Sequence, residues 1–333
     1  MILKKSPNNR VSWQKVLAQA ITNPQQLLSL LNLEHRLTPA TLAAADQFAL
    51  RVPHGFIARM EPGNLQDPLL RQVLPVDEEL HLRAGYSHDP VGDRAANRMP
   101  GLLHKYYGRV LLLLGRTCAI NCRYCFRRSF PYADNNPGQV GWQRAIDSIA
   151  ADSSIEEVIL SGADPLMVPD SILARLSRRL SAISHLKLLR IHTRLPVVLP
   201  ERITDELIDW FAHSRLQPVF VAHINHENEI DAHVAQAMGK LRDAKITLLN
   251  QSVLLRGVND TVETLINLSK ALMTIGILPY YLHLLDKVHG AAHFNVPKAE
   301  AKQLWTQMAR KLPGYLVPKL VQEQAGAAAK III

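Results

Sequence analysis

Six short runs rich in Val, Ile and Leu recur through the middle and C-terminal parts of the chain, at residues 110–114, 156–161, 187–193, 217–223, 246–251 and 278–283. Apolar runs of that length read as strands buried on both faces, the mark of a parallel sheet. Between them stand segments of helical length and pattern, 170–184, 204–214, 229–244 and 261–275, several opening on Asp, Thr or Ser suited to an N-cap. Strand starts recur about every 30 residues, the length of one βα unit. Only the first interval, from 110 to 156, is longer. Six βα units predict an α/β fold, a partial (β/α)6 barrel over residues 101–311. Residues 1–100 lack this rhythm and carry Pro-punctuated helical patches such as 38–52, which predicts a helical subdomain packed on the barrel. Residues 312–333 read as a short C-terminal tail.

In barrels of this kind the chemistry collects beyond the C-terminal ends of the strands. The polar residues follow that rule: the cysteines come after the first run, Ser161 to Asp164 after the second, and His192 and Arg194 after the third. His223 and Asn225, Asn250 and Gln251, and Asp286 follow the remaining three.

The chain has three cysteines, Cys118, Cys122 and Cys125, all within C-A-I-N-C-R-Y-C. An odd trio this tight is no secreted disulfide framework. Spacing of i, i+4 and i+7 would also suit one buried helix face, but Asn121, Arg123, Arg127 and Arg128 surround it. Structural zinc wants a fourth ligand, and none stands nearby. Three thiolates are what a cubane iron-sulfur cluster needs when one iron stays open to a ligand. The CxxxCxxC spacing resembles that of radical S-adenosylmethionine enzymes, in which that iron binds the methionyl amino and carboxylate groups.

Composition narrows the setting. Of 333 residues 47% are apolar and 20% charged, which excludes a disordered or fibrous chain. No apolar run approaches the ~18–20 residues of a membrane span, and the start MILKKSPNNR has no apolar h-region, so a cytoplasmic location is expected. Lys and Arg outnumber Asp and Glu by 38 to 29, but without a basic run or an aromatic RNA-binding motif the excess reads as a basic surface with phosphate or carboxylate sites, and nucleic acid is the lesser alternative.

With C-R-Y-C-F-R-R from Cys122, S-G-A-D-P-L from Ser161, N-Q-S-V-L-L-R-G-V-N-D from Asn250 and P-Y-Y-L-H-L-L-D to Asp286, the chain resembles the lysine 2,3-aminomutase family. Within it the chain looks most similar to the branch that makes (R)-β-lysine for modification of elongation factor P. The resemblance implies a 4Fe-4S cluster on the three cysteines, S-adenosylmethionine, and pyridoxal 5′-phosphate joined to Lys330. It implies contacts to S-adenosylmethionine from Ser161, Gly162, Asp164, His223 and Gln251, and to pyridoxal phosphate from Lys105, Tyr106 and Arg109. For the substrate, L-lysine, it implies Arg127 on the carboxylate and Asp286 with Glu323 on the ε-ammonium. That set also fits the charges of lysine, one guanidinium for the carboxylate and separate acids for the ammonium.

The same resemblance implies a functional link to elongation factor P and its lysyl-transferring ligase, and an external reductant. The alternatives are an aminomutase of amino-acid metabolism and, from another class, a radical protein acting on RNA. The oligomeric state stays open, a homo-oligomer included. The chain departs from the family pattern at Ala163 in place of glycine, Lys105 in place of arginine, Glu323 in place of aspartate, and Ala327 to Ala329 in place of glycines before Lys330. Its stop three residues after Lys330 favours the elongation factor branch.

Overall fold

The computed structural model describes residues 12–135 and 138–333. Ten strands form one sheet in chain order: β1 (Asn97–Met99), β2 (Leu102–Tyr106), β3 (Arg109–Gly115), β4 (Glu157–Gly162), β5 (Leu188–Thr193), β6 (Gln217–His223), β7 (Thr247–Val253), β8 (Leu278–His283), β9 (Lys319–Gln322) and β10 (Ile331–Ile332). Neighbours from β3 through β9 run parallel, and antiparallel hairpins flank them, β1–β2–β3 on one side and β9–β10 on the other. The two outermost strands do not pair, so the sheet is an open, partial barrel. All six expected strands are present, each within two residues of its expected bounds. A seventh parallel strand, β9, lies in the segment read from sequence as a tail, because four residues carry too short an apolar pattern to stand out.

β4 is buried along its whole length, with Val158 and Leu160 packed under the helices and Ile159 and Ser161 turned toward the inside of the barrel. The covering helices start where side chains satisfy their first free N–H groups: Thr204 accepts from Leu207, Asp231 from Val234 and Thr261 from Thr264. Asp170, expected among the caps, does other work. Its carboxylate receives Arg202 and the Trp210 indole at 2.8–2.9 Å, tying two successive βα units together.

Short helices between Trp13 and Leu80 pack on the barrel, so that Trp13, Leu28 and Phe56 share one core with Leu160, Phe211 and Phe220. A second cluster, including Leu254, Leu282, Met308 and Leu320, holds β9 against β8. Among the described residues no helix is long and apolar enough to cross a membrane.

Candidate active site

A cavity of about 650 Å³ opens at the C-terminal ends of the parallel strands. Every site residue expected from the sequence lines it: the three cysteines, Ser161, Gly162, Asp164, His223, Gln251, Lys105, Tyr106, Arg109, Arg127, Asp286, Glu323 and Lys330.

The cysteines lie in irregular backbone between β3 and β4, so they do not form a helix face. The N-terminal helices pin this loop. Arg51 donates to the Cys118 carbonyl at 3.3 Å, Asn121 to that of Ala49 at 2.8 Å, and the Arg123 amide to Gln72 at 2.9 Å. Arg123 is fully buried, and its guanidinium meets the Glu79 carboxylate in two bonds of 2.7 Å. Arg128 joins the same carboxylate at 2.8 Å.

No disulfide joins the three cysteines. Burial, then the neighbouring Asp164 and thiols, pushes Cys118 well above the usual thiol range, and burial pushes Cys125 up to about 11. Left alone, both hold their protons at neutral pH, so thiolate formation here calls for a strongly cationic ligand, as a metal cluster is. Among the described residues no three His, Cys, Asp or Glu side chains gather as they would around one metal ion. A cubane binds each sulfur through a different iron, and three cysteine thiols lining one cavity supply that donor set. Arg194 donates to the Cys122 sulfur at 2.8 Å and is itself held by buried Glu229 at 2.9 Å and Gln72 at 2.7 Å. Such donors orient a ligating sulfur and tune the potential of what it binds.

At the end of β4, Gly162 has φ +117°, and a Cβ there would lie 3.3 Å from the Leu114 nitrogen, so glycine is required. Its neighbour Ala163 keeps an ordinary negative φ, which is why alanine is accommodated at that departure from the family pattern. Asp164 reaches the cavity with its turn rather than its charge. Its carboxylate accepts from Thr193 Oγ1 and from the amides of Leu166, Arg194 and Leu195, all within 3.0 Å. It therefore fastens the loop after β5 to the end of β4. His223 and Gln251 are register partners on β6 and β7 and stand side by side. Tyr124 Oη lies 2.9 Å from His223 Nε2, and burial, then Arg194, holds this imidazole down to about 3, hence neutral.

The other wall carries an alternating chain of charges. Arg127 Nε donates to Asp93 at 2.6 Å; Lys105 Nζ lies 2.6 Å from the other Asp93 oxygen and 2.9 Å from Glu323; and Glu323 accepts from Lys330. Burial raises the Glu323 carboxyl, but Lys330 and Lys105 outweigh it and bring it down to about 2. Asp286 faces the cavity with no hydrogen bond or ion pair to its carboxylate among the described residues, and burial, then Glu323, pushes it up to about 7. On the β2–β3 hairpin, Arg109 lies over the Tyr106 ring at 4.9 Å and has no carboxylate partner among the described residues. In the loop before Lys330 only Gly326 has positive φ, so Ala327 to Ala329 fit without strain. A free cation beside an aromatic ring and an amine within the cavity suit a phosphorylated aldehyde cofactor.

Sequence reasoning missed Asp93, Glu79, Gln72 and Glu229. Asp93, Glu79 and Gln72 lie in the first hundred residues and Glu229 in a one-turn 3-10 helix after β6, and nothing in residue spacing marks a lone acid or amide that will meet a distant arginine.

Residues 112–268 match the Radical SAM superfamily. The chain is 52% identical over 324 residues to the L-lysine 2,3-aminomutase of Escherichia coli (strain K12), covering 97% of this chain and 94% of that one. It is likewise 52% identical to the L-lysine 2,3-aminomutase of Haemophilus influenzae, covering 96% and 95%. Among solved structures it is similar to Streptococcus suis SuiB bound to precursor peptide SuiA, with a TM-score of 0.50 and 13% identity over 67% of this chain and 50% of that one, which speaks for the fold alone. Cysteine loop, partial barrel and near full-length identity agree: the chain belongs to the L-lysine 2,3-aminomutase family of radical S-adenosylmethionine isomerases.

Proposed function

We propose that this isomerase converts L-lysine to (R)-β-lysine, with pyridoxal phosphate joined to Lys330, and that the product serves β-lysylation of elongation factor P by its lysyl-transferring ligase. The reading stands on one observation: a single cavity is lined by Cys118, Cys122 and Cys125, by the Lys330 amine and by the carboxylate of Asp286, which has no partner among the described residues. When bound, the cluster with S-adenosylmethionine and an external reductant would supply reversible hydrogen-atom abstraction, and pyridoxal phosphate would supply a conjugated C=N bond that lets an amino nitrogen shift between adjacent substrate carbons.

The chain's own residues bind and orient. Arg127 has its Nε fixed by Asp93 and Nη1 by Ser161 at 3.3 Å, which leaves Nη2 without a protein partner among the described residues and available to a carboxylate. Asp286 offers the ε-ammonium a buried negative charge, and an entering cation lowers its pKa in return. His223 and His283, each held down to about 3 chiefly by burial, stay neutral and do not repel a cationic substrate. Glu323 keeps the Lys330 amine directed into the cavity. Lys105 and Arg109 place positive charge where a phosphate can sit.

The link to elongation factor P is supported by the resemblance of the quoted motifs to that branch. Anaerobic incubation of reconstituted protein with isotopically labelled lysine, followed by chiral analysis, should yield (R)-β-lysine; absence of any isomer overturns the reading. In cells lacking the gene, hydrolysed elongation factor P should lose its β-lysine, read by chiral chromatography because lysine and β-lysine share one mass, and regain it on addition of (R)-β-lysine. An unchanged β-lysine content would refute that link alone.

A further inference from the structure

Asp93 belongs to none of the groups considered so far as ligand or cofactor contacts, yet it sits between two of them. Its side chain is 1% exposed, with Arg127 Nε at 2.6 Å on one oxygen and Lys105 Nζ at 2.6 Å on the other. Burial alone would raise this carboxyl, but the two cations outweigh it and hold it below the ordinary range.

The backbone is built to deliver it. Asp89 accepts from the Asp93 amide at 2.8 Å and closes the turn. Gly92 has φ +68°, and a Cβ there would meet Ala325 Cβ at 3.0 Å, so the turn presses on the loop between Glu323 and Lys330. The Val91 carbonyl takes Lys105 Nζ at 2.8 Å. One turn therefore touches the substrate-carboxylate arginine, the lysine of the β2–β3 hairpin and the loop that carries the cofactor amine.

We propose that Asp93 is a positioning residue that sets where the substrate carboxylate lies relative to the cofactor amine, acting through Arg127 and Lys105. The inference rests on the reading above that Arg127 takes the carboxylate. A single carboxylate bridging both cations fixes their separation, and it aims the Arg127 plane before any ligand enters.

The test compares two ligands that share the ammonium but differ in the carboxylate, lysine and 1,5-diaminopentane, binding to cluster- and pyridoxal-phosphate-loaded protein. In Asp93→Asn, lysine affinity should fall by about tenfold or more while diaminopentane affinity and iron content stay unchanged. Asp93→Glu, which keeps the charge and shifts it by one methylene, should show the same selective loss in smaller degree, and it carries the comparison if Asp93→Asn does not accumulate. Equal weakening of both ligands means a merely structural role and overturns the proposal, as does no weakening. Wild-type protein that does not prefer lysine over diaminopentane would instead sink the reading of Arg127, a separable result.

Discussion

Lys105 Nζ donates to Glu323 Oε1 at 2.9 Å, so two positions that depart from the free-lysine pattern are partners of each other. A lysine carries a compact charge where an arginine would present a fork, and a glutamate is one methylene longer than an aspartate. The longer acid reaches the smaller cation, and each change makes sense of the other.

A double-mutant cycle checks that pairing. Lys105→Arg alone crowds Glu323, and Glu323→Asp alone opens a gap to Lys105; each should lower kcat/KM for lysine by about fivefold or more. The double variant should recover most of the loss, and purely additive losses would show the pair to be uncoupled.

Lysine binding should depend on pH through Asp286. Its carboxyl is pushed up to about 7 in the empty cavity, so below that pH it is increasingly neutral and an entering ammonium must displace a proton. KM for lysine should therefore rise about tenfold per unit below pH 7 and level off above it. In Asp286→Asn that inflection should vanish from the kcat/KM profile and lysine should be bound weakly throughout.

Cluster and cofactor should separate genetically. Cys122→Ser should abolish turnover and lower iron content, whereas Lys330→Ala should keep iron and lose the absorbance of bound pyridoxal phosphate. Metal analysis and spectra of anaerobically purified variants decide between these outcomes.

Glu79→Gln removes the charge shared by Arg123 and Arg128 beneath the cysteine loop. Breaking a buried pair in this way costs about 3–5 kcal/mol, because it strands cations away from water. The midpoint of thermal unfolding should fall by several degrees, with poorer iron retention after reconstitution.

Gly162→Ala should be far more damaging than Ala163→Gly. The first forces a Cβ onto backbone at φ +117°, while the second acts at a residue of ordinary φ. Binding of S-adenosylmethionine, measured on reconstituted protein, should be lost in the first and kept in the second.

The six parallel strands were legible because buried strands concentrate Val, Ile and Leu in runs that recur with the βα period. The cysteine trio was legible because three thiols in eight residues suit few structures. Lys330 was not: a lysine near the end of a chain looks like any solvated lysine, and only its family resemblance singled it out. At Asp164 residue type could not separate two uses, since a cap-forming acid and a ligand-binding acid look alike, and the structure shows the carboxylate capping Leu166 and holding the loop after β5. Asp93 left no trace, because its significance comes from two cations that lie 12 and 34 residues along the chain.

Ile331 pairs with Gln322 and Ile332 with Val321, and the Ile333 amide donates to Leu320 at 3.0 Å, so a short ladder holds β10 to β9. In such a ladder a slip of one residue turns every side chain to the opposite face. Lys330 directly precedes this pair, so a single insertion or deletion in the turn around Gly326 that shifted the ladder would point its amine out of the cavity. Drift after Gly326 is thus tolerant of spelling and intolerant of length: alanine replaces glycine at 327–329, whereas losing one letter would silence the enzyme.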